Sequence, residues 1–254
     1  MPEFSSRKAG ARLYYLDLPG RGTPLVFLHG MGCASSCDYP QVAAAPSLQR
    51  RRRILVDLLG SGYSDRPASF DYTVRAHAQV IVELVRALEL RSLCLYGHSM
   101  SGAIAIVASK MLDDRVARLI LSEPNLDPGG GITSRAIAKQ SLSRYLRRGH
   151  GTIVAAARHR GQLAWASTMA VSFPIAIHRE ARSLVEGARP SWRSVLATLP
   201  MPRTILFGSR SLPDSDTIRM PAIGVRTLVV PRAGHDMAHD NARGLAVALA
   251  AAAA

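Results

Sequence analysis

The stretch Leu93-Cys94-Leu95-Tyr96-Gly97-His98-Ser99-Met100-Ser101-Gly102 decides the fold. An apolar run, Leu93 to Tyr96, stops at a glycine. A serine follows two residues on, and an apolar helical pattern then begins. This is how a strand, a sharp turn and a helix read when they push one hydroxyl out beyond the end of a sheet. Gly97 relieves crowding before the turn, and Ser99 takes its strained apex. The pattern Gly-x-Ser-x-Gly is broken at its last position by Ser101, the smallest polar step up from glycine, with Gly102 beside it.

The flanking sequence repeats the same alternation. Leu25-Val26-Phe27-Leu28, Ile54-Leu55-Val56, Leu119-Ile120-Leu121, Thr204-Ile205-Leu206-Phe207 and Thr227-Leu228-Val229-Val230 read as buried strands, and 12–17 as a further strand. Val74, Ala78, Ile81, Val82, Val85 and Leu88 share one helical face behind Thr73, a capping residue. A second helix follows the serine turn, and a last one runs from about Asn241 into the terminal alanines. Strands alternating with helices predict an α/β fold, a mostly parallel sheet flanked by helices, with the ligand site beyond the carboxyl ends of the strands. The polar motifs His29-Gly30-Met31-Gly32, Ser122-Glu123-Pro124 and Gly234-His235 all fall at such ends.

The alternation stops after Pro124. Residues 125–200 offer helical patterns at 134–148, 153–160, 165–171, 177–186 and 192–199, and no buried strand. We read this segment as a helical lid inserted between two sheet strands. The single domain is then 1–254, with its core in 1–124 and 201–254.

Composition narrows the function. Hydrophobic residues make up 48% of the chain. No apolar run reaches the roughly 18 residues of a membrane span, and the polar start has no secretory core, so a cytoplasmic protein without a membrane partner is expected. Cys33, Cys37 and Cys94 form neither a disulfide framework nor a zinc motif with histidine, so no metal and no cofactor are expected. The net charge of +14 is carried almost wholly by arginine, since lysine occurs only at Lys8, Lys110 and Lys139. The run Arg50–Arg53 has no aromatic interleaving and leads straight into a strand, so nucleic acid is not the expected partner. A field that draws in an anionic small-molecule substrate is the alternative. Oligomeric state is not legible.

A serine hydroxyl is a poor nucleophile near neutral pH. It needs a base in hydrogen-bond reach, an acceptor that orients the base, and donors aimed at the developing oxyanion. The motifs His29-Gly30-Met31-Gly32, Asp57-x-x-Gly60-x-Gly62-x-Ser64, Gly97-His98-Ser99-Met100-Ser101-Gly102 and Gly234-His235 supply candidates in a fixed order. In this the chain resembles the α/β-hydrolase fold superfamily, serine-nucleophile type, with a helical lid between the same two strands. The resemblance implies Ser99 as nucleophile, His235 as general base, and the backbone N–H groups of Met31 and Met100 as oxyanion hole. It makes Asp57 a brace of the sheet top and leaves His98 as the variable position of the turn. His77, His150, His159 and His178 carry no motif and are expected on the surface or in the lid. Asp236 and Asp240 are expected to face solvent or to cap.

The acid departs from the family pattern, which has an aspartate in a Gly-x-x-Asp turn after the strand at 204–207. Ser211 stands there. Two repairs keep the order serine, acid, histidine. Glu123 can act from a strand end, as in some members of the fold, or Asp214, less favourably Asp216, can reach in from its loop. Glu123 is preferred, because the sheet fixes its position and its extra methylene helps it span. The implied activity is cleavage of an acyl-type bond, a small carboxylic ester or lactone, through an acyl-enzyme. Carbon–carbon bond hydrolysis, perhydrolysis and acyl transfer use the same triad. A non-catalytic ligand-binding protein is the rival from another class.

Overall fold

The computed structural model describes residues 2–254. Eight strands form one sheet: β1 (Glu3–Ser6), β2 (Ala11–Leu18), β3 (Arg21–Leu28), β4 (Arg51–Val56), β5 (Leu93–His98), β6 (Val116–Ser122), β7 (Arg203–Gly208) and β8 (Arg226–Val230). Their order is β1-β2-β4-β3-β5-β6-β7-β8. The β1–β2 and β2–β4 pairs are antiparallel, and every other pair is parallel. The order reverses at β3, which lies between β4 and β5, and such a switch point opens a crevice beyond the strand ends. Both faces of the sheet are covered. Helices α1 (Val74–Ala87) and α2 (Met100–Leu112) pack on one face. On the other face lie α8 (Ala242–Ala253) and the loop around Tyr39. The chain between β6 and β7 is helical, with α3 (Ile132–Ala138), α4 (His150–His159), α5 (Leu163–Val171), α6 (Pro174–Glu186) and α7 (Trp192–Thr198).

Local chemistry explains these bounds. Thr73 caps α1 by accepting from the Ala76 N–H. The helix expected over 134–148 is broken. It ends at Ala138, and Ser141 starts a new turn by accepting from the Arg144 N–H. A serine hydroxyl there competes for backbone donors and favours a cap over a continuous helix. The arginine run is structural. Arg51 donates to the carbonyl of Thr23, Arg53 to those of Ala43 and Pro19, and Arg52 pairs with Asp17.

One histidine expected on the surface or in the lid, His77, needs correction. His77 is 1% exposed, and its Nε2 lies 3.1 Å from Oε1 of Glu180, itself 2% exposed, so the pair ties α1 to α6 inside the core. His178 lies in α6, within residues 125–200, where it is buried and bonds the Gln140 carbonyl.

Candidate active site

Four strand ends build the site. The turn after β5 holds Ser99 at φ 53° and ψ −116°, a region that non-glycine residues rarely occupy. The packing shows why glycines flank it. A Cβ on Gly97 would sit 2.2 Å from the Ser101 carbonyl oxygen, and one on Gly102 would sit 2.3 Å from Cβ of Pro124. Position 101 itself tolerates a side chain, because the Ser101 hydroxyl donates to the buried carbonyl of His29. The broken motif thus adds a tie between the serine turn and the loop after β3. Ser101→Ala is expected to lower stability by about 1–3 kcal/mol, since the buried carbonyl loses its donor. Urea unfolding measures this, and an unchanged midpoint would show that the carbonyl is satisfied elsewhere.

Glu123 follows β6 at φ 39°, and its backbone N–H donates to the Leu206 carbonyl. Its side chain crosses the end of β7. Oε1 accepts from the Gly208 N–H at 2.9 Å, and Oε2 lies 2.7 Å from Nδ1 of His235. His235 Nε2 lies 3.1 Å from Ser99 Oγ. A continuous run of contacts therefore joins Ser99, His235 and Glu123, in chain order serine, acid, histidine. Asp214 does not join it. Its carboxylate accepts from the Asp216 N–H, and Asp216 pairs with Arg193. The His235 loop is held in turn by Asp240, which accepts from the Gly234 N–H. Asp236 is half-buried at the head of the turn Met237–Asp240 and makes no capping bond with its side chain.

The ionisation states follow from these contacts. Burial pushes the Glu123 carboxyl up, but the hydrogen bonds from His235 and the Gly208 N–H outweigh it and bring it down to about 2. For His235, burial favours the neutral ring, yet the hydrogen bond and charge of Glu123 prevail and raise it above the ordinary imidazole value. Glu123 is thus a carboxylate at neutral pH. It keeps the His235 proton on Nδ1 and leaves the Nε2 lone pair toward Ser99.

The loop after β3 faces the same point. Among the described residues the Met31 N–H has no acceptor. Met100 is the first residue of α2, so its N–H is one of the four a helix leaves free. Trp165 of α5 donates to the Met31 carbonyl at 2.9 Å and fixes that peptide from above. Asp57, fully buried, accepts from the Ser36 N–H and hydroxyl and from the Tyr63 N–H, so it braces the loops. His29 accepts from the Leu58 N–H and lies beside its neighbour's carbonyl, and His239 bonds Asp38. Neither touches Ser99.

Two cavities meet at Ser99 and His235. One, of about 450 Å3, runs past Asn125, Thr133 and Leu184 to Asp214. The other, of about 340 Å3, runs past His98, Trp165 and Gln162 to Arg160. Both are roofed by the helices between β6 and β7. Sequence reasoning missed His98, which the motif treats as variable. The structure packs its ring 4.7 Å from that of His235. Among the described residues no group of three metal-ligating side chains converges, and no helix is long and apolar enough to cross a membrane.

Comparison with known proteins agrees with this fold. The family model described as alpha/beta hydrolase fold matches residues 23–173. A 2-hydroxymuconate semialdehyde hydrolase of Pseudomonas sp. (strain CF600) is 35% identical over 114 residues, which is 44% of this chain and 40% of that protein. The match thus spans about two fifths of that relative's length. A thermophilic esterase from Thermogutta terrifontis superposes with a TM-score of 0.80 at 22% identity, covering 98% of this chain and 96% of the other. An enol-lactonase from Burkholderia xenovorans LB400 gives 0.78 at 17% identity, covering 98% of each.

Proposed function

Because the chain belongs to the α/β-hydrolase fold family, we propose that it is a serine hydrolase of acyl-type bonds, acting on a small carboxylic ester or lactone. One observation carries this reading: the run Ser99 Oγ, His235, Glu123, with contacts of 3.1 and 2.7 Å, at the meeting point of two cavities. His235 Nε2 takes the hydroxyl proton as Ser99 attacks the carbonyl carbon. The Met31 and Met100 N–H groups receive the negative charge on the carbonyl oxygen, a donor of this kind being worth about 3 kcal/mol. The imidazolium, stabilised by Glu123, returns its proton to the leaving alcohol. Water, activated by the same histidine, then releases the acid from Ser99. The helices of residues 125–200 act as the lid over both limbs of the substrate. The fold similarity to an esterase and a lactonase is consistent with either bond.

Hydrolysis of p-nitrophenyl butyrate tests the proposal. Turnover with a burst of p-nitrophenol is expected from the native protein, and none from Ser99→Ala. Equal rates from the two would refute it. A carbon–carbon bond hydrolase is the second reading, favoured by the partial match to 2-hydroxymuconate semialdehyde hydrolase. Turnover of a 2-hydroxy-6-oxo dienoate with no ester turnover would establish it in place of the first.

The pH profile follows from the site. Only neutral His235 accepts the proton, so kcat/KM is expected to fall on the acid side through a single pKa above the ordinary imidazole value. Glu123 adds no second step near neutrality, being ionised down to about 2. In the residual activity of Glu123→Gln the acid limb is expected to move to lower pH, because the hydrogen bond and charge of Glu123 that raise His235 are lost. A limb that stays in place would remove Glu123 from the account.

A further inference from the structure

His98 is a second imidazole in the site, with no part in the proton transfer above. It is 8% exposed, and it lines the 340 Å3 chamber together with Ser99 and Arg160. Its Nδ1 lies 3.0 Å from Ser122 Oγ, which lies 2.8 Å from the hydroxyl of buried Tyr96. Each hydroxyl in this run has one proton to give. If Tyr96 donates to Ser122 and Ser122 to Nδ1, both hydroxyl protons find an acceptor. In the opposite direction the proton of buried Tyr96 has no hydrogen-bond acceptor among the described residues. The first arrangement leaves no buried hydroxyl of this run unpaired, and it puts the proton of neutral His98 on Nε2, at the chamber. Burial, aided by the charge of His235, lowers His98 to about 3, so the ring stays neutral.

That Nε2–H has no protein acceptor among the described residues. The ring edge that carries it faces Gly30, where a Cβ would come within 3.5 Å of Nε2, so the glycine keeps the way to the chamber open. At the far end of the chamber Arg160 spends only its Nε–H, on Gln162 at 3.2 Å. Its terminal nitrogens have no partner among the described residues. Asp236 is the one carboxyl on the lining.

We propose that this chamber takes up a carboxylate carried by the substrate, between the His98 Nε2–H and the Arg160 guanidinium. The substrates are then acyl compounds with an anionic limb, such as half-esters of dicarboxylic acids. The proposal deepens the serine hydrolase reading and rests on it for the identity of the scissile bond. The +14 net charge would raise the local concentration of such anions.

Calorimetry on the Ser99→Ala protein tests it without turnover. Monoethyl glutarate is expected to bind at least about ten-fold more tightly than diethyl glutarate, as charge-assisted hydrogen bonds are stronger than neutral ones. Adding Arg160→Gln, an exposed substitution, or His98→Phe is expected to bring the two ligands within about two-fold of each other. Equal binding of the two esters to Ser99→Ala, or a preference that survives both added substitutions, overturns the proposal. Failure of the hydrolase reading is distinct: the native protein then cleaves neither ester, while the binding preference and its loss still stand.

Discussion

Glu123→Gln is expected to lower kcat by about a thousand- to ten-thousand-fold, while Asp214→Asn changes it by less than about three-fold. The difference follows from who holds each carboxylate. The Gly208 N–H donates to Oε1 of Glu123, so a glutamine there turns its oxygen to Gly208 and its NH2 to His235. A donor facing Nδ1 forces the imidazole proton onto Nε2, and no lone pair is left for Ser99. The backbone is otherwise undisturbed, so KM should move little. Asp214 instead accepts from the Asp216 N–H, a bond that the asparagine oxygen keeps. Steady-state kinetics on p-nitrophenyl esters separates the two. Comparable mild losses would mean that neither carboxylate orients His235.

The second large effect lies away from the chemistry. Replacing His77 alone by Phe is expected to cost about 3–5 kcal/mol, whereas His77→Phe with Glu180→Met should come within about 1 kcal/mol of the native protein. Glu180 is 2% exposed and has His77 as its partner, and Oε2 already has no hydrogen-bond partner among the described residues. Without the histidine its carboxyl group is buried with no partner. With both replaced, an apolar pair fills the space between α1 and α6 beside Phe70 and Tyr72. Urea unfolding in a double-mutant cycle gives the coupling. Additive losses would show that the two groups do not interact. Because α6 carries Leu184 into the larger cavity, loosening this joint should also broaden substrate acceptance.

Much of this was legible in the sequence, for definite reasons. The buried parallel strands are short apolar runs, and each ends in a polar motif, so β3 to β8 and the site at their carboxyl ends could be placed from pattern alone. Ser99 and His235 stand one and five residues beyond β5 and β8. β1 escaped because four residues of mixed polarity at an edge have no readable period. The choice between Glu123 and Asp214 stayed open because it depends on loop paths: 112 residues separate Glu123 from His235. The burial of His77 was illegible for the same reason, its partner lying 103 residues on. His98 was hidden by the motif itself, which marks that position as free. Only its bond to Ser122, and that of Ser122 to Tyr96, give it a fixed tautomer.

The account rests on Ser99 being a nucleophile activated by His235. The most direct measurement is intact-protein mass after brief exposure to a fluorophosphonate. The account predicts one adduct per chain, located on Ser99, absent in Ser99→Ala, and formed at least about a thousand-fold more slowly in His235→Ala. An unlabelled native protein, or a His235→Ala variant labelled as fast as the native one, would contradict it.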